Sequence, residues 1–254
     1  MSGSNAFRLD DQVALITGGG TGLGFGIARA MIDAGASVVI TGRRESVLQE
    51  AAARLGERAS FVVADVTGSG AAREVVDHVL NRHSTLSILV NNAGVHLKKN
   101  IEETAETEFA AVMNTHVDAS FRLSQEAVPV MRRHGFGHIL FIASLTCFIG
   151  MPRTIAYSAA KSAHTGLVRS MAVELGPQHI RANAIAPGWI QSDMLNQSLD
   201  ADPERKRRVV SRIPGGEFGA PADIGYAAVY LSSPAARYVN GVVLPVDGGA
   251  LISL

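Results

Sequence analysis

Tyr157 and Lys161 stand four residues apart in Ile155-Ala156-Tyr157-Ser158-Ala159-Ala160-Lys161-Ser162. The stretch is rich in Ala and Ser and reads as the first turns of a helix. Residues four apart share a helix face, one turn above the other, so phenol and ammonium are expected to point the same way. A free Tyr titrates near 10 and is a poor base at neutral pH, and a fixed cation beside it favours the phenolate. Bringing the phenol from about 10 to about 7 takes ~4 kcal/mol. An ammonium at a partly desolvated site is expected to supply much of that, and a second positive charge would add to it. The chemistry implied is proton transfer to or from an alcohol oxygen. Such a pair also arises often by chance, so the rest of the chain must decide.

The elements that would position the pair alternate between strands and helices. Val13-Ala14-Leu15-Ile16-Thr17 is a short apolar run, suited to a strand buried on both faces. It leads into Gly18-Gly19-Gly20-Thr21-Gly22-Leu23-Gly24-Phe25-Gly26 and then a helical Ile27–Ile32. Strand, glycine-rich turn and helix open a dinucleotide site, because glycines admit the pyrophosphate to the backbone and the helix N-terminus stabilises its charge. Neither G-x-G-x-x-G nor a Walker A loop fits here. T-G-x-x-x-G-x-G does, on Thr17, Gly18, Gly22 and Gly24, with Thr21 and Leu23 in the same loop.

Further strands are expected over Ser37–Thr41, Ser60–Val66, Ser87–Asn91, His138–Ser144, Ile180–Ala186 and Gly241–Val246. Helices are expected over Gly70–His83, Glu106–Arg133 (bent near Pro129), Tyr157–Leu175 and Ala220–Leu231. The second strand ends in Gly42-Arg43-Arg44-Glu45. Gly42 sits where a carboxylate would hold the ribose hydroxyls of NAD, and a guanidinium at Arg43 suits the 2′-phosphate of NADP. NADP(H) is therefore expected over NAD(H), with Glu45 as the contrary sign. Asp65 is placed to bond adenine, with Val66 beside it. Asn92, Ala93 and Gly94, then Ser144, then Pro187, Gly188 and Ile190 follow at the carboxyl ends of later strands. In a doubly wound parallel sheet that end binds ligands, and chance motifs would scatter to both ends.

The chain has 254 residues, 47 % hydrophobic and 18 % charged, with 23 basic and 23 acidic side chains. One α/β domain spanning 1–254 is expected, with 1–9 as a tail. The charge balance points away from nucleic acid or an anionic membrane surface. The lone Cys147 allows no internal disulfide and suits a reducing cytoplasm. No apolar run reaches the ~20 residues of a membrane span, and the histidines show no zinc-ligand spacing, so no metal is expected.

With those motifs assembled, the chain resembles the short-chain dehydrogenase/reductase family over nearly its whole length. The resemblance rests on Thr17-Gly18-x-x-x-Gly22-x-Gly24, Asn91-Asn92-Ala93-Gly94, Ser144 thirteen residues before Tyr157, Tyr157-x-x-x-Lys161, and Pro187-Gly188. It implies a seven-stranded Rossmann-type sheet, hydride transfer at nicotinamide, and a homotetramer. By resemblance, Ser144 bonds the carbonyl oxygen and Tyr157 exchanges the proton. Lys161 binds the nicotinamide ribose and lowers the Tyr pKa. Segment 189–219 covers a small carbonyl or alcohol substrate. One position departs from the pattern: the register set by Phe109 and Phe121 puts His116 where the family has a catalytic Asn, and Asn114 lies two residues off. In the family that Asn supports a water that links Lys to bulk proton exchange, and His116 is expected to hold that water or to relay a proton itself. Within the family the chain looks most like gluconate 5-dehydrogenase-type enzymes, on the cue of basic residues in His96-Leu97-Lys98-Lys99. A 3-oxoacyl-carrier-protein reductase-like activity and a non-catalytic dinucleotide-binding regulator are the alternatives. Cys147 is read as an apolar filler near the pocket and Glu204–Arg208 as a solvated helix face.

Overall fold

The computed structural model describes residues 6–191 and 203–253. Seven strands form one parallel sheet: β1 Val13–Thr17, β2 Ser37–Gly42, β3 Ala59–Val63, β4 Ile88–Asn91, β5 Gly137–Ile142, β6 Ile180–Pro187 and β7 Val243–Val246. The order is β3-β2-β1-β4-β5-β6-β7. Because β1 pairs with β2 on one side and β4 on the other, the chain reverses its winding between β1 and β4. A crevice opens at that point beyond the carboxyl ends.

The strands are near-continuous apolar runs because helices cover both faces. Alternate residues go to opposite sides. From β1, Val13 and Leu15 join one core with α3 (Ala71–His83), α5 (Ala119–His134) and α6 (Ile155–Leu175). Ala14 and Ile16 join the other, with α1 (Gly22–Asp33), α2 (Glu45–Leu55) and α8 (Pro221–Ser232). A smaller cluster of Val112, Ala156 and Ala160, with Val95 and Leu97, packs α4 (Glu106–Met113) on α6 and seats Tyr157. A fourth cluster joins Leu145, Ile213 and Ala250 with Trp189 and Phe218. Helix α7 (Pro203–Val210) exposes Glu204, Arg207 and Arg208, in keeping with a solvated face.

Two expectations are corrected. The third strand ends at Val63, and Asp65 and Val66 lie in the turn after it. Asp65 accepts from the Thr67 backbone N–H at 3.0 Å and its hydroxyl at 2.7 Å, a local turn that stops the strand. The helix expected over Glu106–Arg133 is two helices joined by a π turn at Asn114–Asp118. Helix α5 meanwhile continues through Pro129 to a left-handed Gly135. Side chains account for the wide turn by taking backbone carbonyls: Thr115 Oγ1 bonds Ala111 O at 2.9 Å, and Ser120 Oγ bonds His116 O at 2.7 Å.

Candidate active site

The carboxyl ends of β1 and β4 are tied by side chains. Thr17 Oγ1 accepts from the backbone N–H groups of Asn92 at 3.0 Å and Ala93 at 2.9 Å. The Asn92 amide donates to Thr17 O at 2.8 Å and Gly18 O at 3.2 Å. These bonds hold the Asn-Asn-Ala-Gly turn against the glycine loop. Gly22 begins α1 at φ +54° and faces open space, and a Cβ on Gly24 would stand 2.3 Å from Gly18 O. Thr21 caps α1 without a side-chain bond, and no acid occupies the first turn. The leading N–H groups of a twelve-residue helix are thus presented to an anion. These features fit the pyrophosphate of a dinucleotide. Arg43 is exposed after β2; the Thr67 bonds hold the Asp65 carboxyl below its ordinary value, and the Arg43 charge adds to this. Leu23 packs on the α1-side core and Val66 is buried among α3 residues. Pro187 ends β6 and Gly188 follows it; a Cβ on Gly188 would meet Asp247 Cα at 2.7 Å. Ile190 is buried and bridges Gly219, which closes the base of the segment expected over 189–219. Residues 192–202 of that segment lie outside the described residues.

Ser144 follows β5, and its side chain works to lower the pKa of the Tyr157 hydroxyl. The Ser144 Oγ also accepts from Thr146 N at 3.2 Å, which fixes its rotamer. Lys161 is 4 % exposed, with Nζ 5.6 Å from the centre of the Tyr157 ring. It donates to Ile142 O at 2.6 Å, pinning α6 to the end of β5. The expected lowering of the Tyr157 pKa by Lys161 does not hold within the protein's own side chains. Burial raises the phenol above its ordinary value, and the Ser144 side chain only partly opposes this. The ammonium is itself pushed down to about 7 by burial. A half-neutral Lys161 at pH 7 is a weak electrostatic donor, so desolvation wins at both groups.

His116 is 3 % exposed in the π turn. Its Nε2 lies 2.9 Å from Val95 O and 3.1 Å from Val95 N, and its ring meets Tyr157 edge-on at 5.5 Å. Burial, aided by the Lys161 charge, lowers its pKa to about 3, so it is neutral at pH 7. Its Nδ1 is buried without a partner, beside a cavity of about 10 Å³ shared with Asn91 and Thr115, whose volume suits one water. The π turn also frees the His116 carbonyl, which accepts from His164 Nε2 at 2.9 Å. A carbonyl only accepts, so His164 carries its proton on Nε2. Asn114 points elsewhere, accepting from Arg122 at 2.8 Å.

The rim differs in part from expectation. Lys99 is paired with Glu108 at 2.6 Å, which removes it as a carboxylate ligand. His96 instead stacks on the Tyr157 ring, centroids 4.3 Å apart and 14° from parallel. Its place after Asn-Ala-Gly was visible in the sequence, but its stacking was not. Burial lowers its pKa, and the charges of Lys98 and Lys161 lower it further. Cys147 donates its thiol to Lys161 O at 2.9 Å and packs against the core, with its pKa raised by burial.

The described chain thus brings Ser144, Tyr157, Lys161 and His116 to one place beside a dinucleotide cradle. A family model described as enoyl-(acyl carrier protein) reductase, of the short-chain dehydrogenase/reductase type, matches residues 18–250. The chain belongs to the short-chain dehydrogenase/reductase family. It is an oxidoreductase acting on CH–OH groups. It is 37 % identical over 251 residues to a 2-dehydro-3-deoxy-D-gluconate 5-dehydrogenase of Dickeya dadantii, covering 97 % of this chain and 98 % of the relative. It is 32 % identical to a 3-oxoacyl-[acyl-carrier-protein] reductase of Chlamydia muridarum over 95 % of this chain and 98 % of that one. Among solved structures, a gluconate 5-dehydrogenase of Burkholderia cenocepacia in complex with NADP and tartrate superposes with a TM-score of 0.93. It has 33 % identity and covers 98 % of this chain and 99 % of its own.

Proposed function

We propose that this chain reduces a keto-sugar acid, or oxidises the matching hydroxy acid, with NADP(H). The observation that carries the reading is the Ser144–Tyr157–Lys161 cluster, set beneath the His96 ring next to a phosphate-ready α1. The relatives acting on gluconate-type acids, and the neighbour holding NADP and tartrate, support the choice of substrate and cofactor. When bound, the dinucleotide supplies or accepts the hydride.

Gly18, Gly22 and Gly24 let the backbone hold its phosphates, Arg43 faces its 2′-phosphate, and Asn92, Ala93 and Gly94 bound its crevice. Ser144 donates a hydrogen bond to the substrate oxygen. Tyr157 gives that oxygen its proton in reduction and takes it in oxidation. Lys161 holds the ribose, and the phenolate would draw its further support from the positive charge of the oxidised cofactor rather than from Lys161 alone. Neutral His116 replaces the usual Asn by holding a water at Nδ1 for proton exchange. We infer also a cytoplasmic homotetramer. The exposed Phe109 and Phe121 beside the site helices support subunit contact, and the lone Cys147 supports the compartment.

The test is loss of NADPH or NADH absorbance with 5-ketogluconate and an acetoacetyl thioester in parallel. Turnover of the keto acid with NADPH is expected, reduced ~10²–10⁴-fold by Tyr157→Phe. His116→Asn is expected to retain turnover and His116→Ala to lose it. Thioester turnover alone would move the enzyme to acyl reduction, and NADH preference would overturn the role of Arg43.

A further inference from the structure

At the end of the sheet opposite Tyr157, the starts of β1, β5 and β6 border a cavity of about 250 Å³. Gln12 precedes β1, His138 lies on β5 and Arg181 on β6, while Phe136, Ser233 and Arg237 come from connecting loops. His138 and Arg181 are register partners on neighbouring parallel strands, so both side chains leave the same face. Arg181 is 9 % exposed. It donates to two neutral carbonyls, Val239 O at 3.1 Å and Ser233 O at 3.3 Å. None of the ion pairs among the described residues includes it, and no carboxylate lines the cavity.

A buried charge without a counter-charge is costly, and breaking up such a pair leaves a penalty of several kcal/mol. Burial accordingly pushes the Arg181 guanidinium down to about 10. Two other polar groups here want partners. Gln12 is 8 % exposed and its Oε1 is buried with no hydrogen bond, as is Nδ1 of His138. A primary amide can turn to present its NH₂ where its oxygen stood. Arg237 adds a second guanidinium, exposed at the mouth. The cavity therefore offers cationic forks and a turnable amide, with no acid to satisfy them.

We propose that this cavity is a binding site for a small oxyanion, a phosphate or a carboxylate, clamped between Arg181 and Arg237 with Gln12 donating to it. Planar guanidinium forks match the geometry of both anions. The site is separate from the cofactor's phosphates, which belong at the carboxyl ends of the strands.

The experiment is thermal denaturation of the full chain with NADP⁺ saturating, so that the cofactor's phosphate site is filled. Ionic strength is held constant with potassium chloride while inorganic phosphate is titrated in one arm and malonate in the other. A saturable rise in Tm is expected, since a ligand binding only the folded state stabilises by mass action. Saturation by phosphate alone assigns a phosphate ligand, and by malonate alone a carboxylate. Arg181 also supports the backbone, so Arg237→Gln carries the test. It should weaken apparent binding about tenfold, as loss of one charge-assisted bond does, while Arg73→Gln, on the exposed face of α3, leaves it unchanged. A Tm that follows ionic strength only, or superimposable titrations of the wild type and Arg237→Gln, would overturn the proposal.

Discussion

Replacing Gly94 by alanine tests whether the π turn holds the His116 ring where the site needs it. A Cβ at position 94 would stand 2.3 Å from Cε1 of His116, 3.0 Å from Nδ1 and 3.1 Å from Nε2. Carbon atoms rest at about 3.5–4.0 Å, so the ring must retreat by more than ~1 Å. It has little room to do so: it is 3 % exposed, with Tyr157 edge-on at 5.5 Å and His164 at 6.5 Å. A retreat of that size takes Nε2 out of hydrogen-bond range of Val95. Overpacking costs about 1–3 kcal/mol, and leaving a buried polar group unpaired costs about 1–3 kcal/mol more. Gly94→Ala should therefore destabilise by about 2–6 kcal/mol, read from urea denaturation at fixed protein concentration. The double variant Gly94→Ala/His116→Ala removes the ring that clashes. Its loss should fall short of the sum of the two single losses by about 1–3 kcal/mol. A Gly94→Ala protein within ~0.5 kcal/mol of wild type, or additive behaviour in the cycle, would refute the packing argument.

Two pH predictions follow from burial. His164 is 2 % exposed and its pKa is lowered to about 3, chiefly by burial. The unfolded chain then binds more protons between pH 6.5 and 3, so stability is full above 6.5 and lost as pH falls through that window. At pH 5 the loss is ~2 kcal/mol for this group. His164→Gln, which keeps a donor for the His116 carbonyl and does not titrate there, should be less acid-sensitive by that amount in denaturant midpoints at pH 7 and 5. Lys161, lowered to about 7 by burial, has the same sign at higher pH: stability rises from pH 7 toward 10.5, where the folded chain has released this proton and the unfolded chain still holds it. Between pH 7 and 9 the gain is about 2–3 kcal/mol, and Lys161→Met should flatten it; an unchanged slope would show that the ammonium is better solvated than its surroundings suggest.

Much of the site is local, and local chemistry is legible. The strand at Val13–Thr17, the glycine spacing after it and the Tyr157–Lys161 face of α6 follow from short-range pattern. A run of β-branched and apolar residues and a helical repeat of four need no partner to be recognised. Departure from the family at His116 was visible in register alone. What stayed hidden depends on contacts between segments far apart in sequence. The π turn arises where Thr115 and Ser120 take carbonyls and where His164, forty-eight residues on, bonds the same His116 carbonyl as Ser120. Lys99 faces Glu108 only because α4 packs beside the 95–99 segment. The Tyr157 and Lys161 titrations hinge on burial, which a one-dimensional pattern does not carry: spacing alone placed a cation beside a phenol, while the folded core decided that desolvation, at both groups, outweighs their attraction. The cavity at the amino ends of β1, β5 and β6 is assembled from Gln12, His138, Arg181 and Arg237, four residues that no motif connects. They meet because parallel pairing sets His138 opposite Arg181, and that register exists only in the sheet.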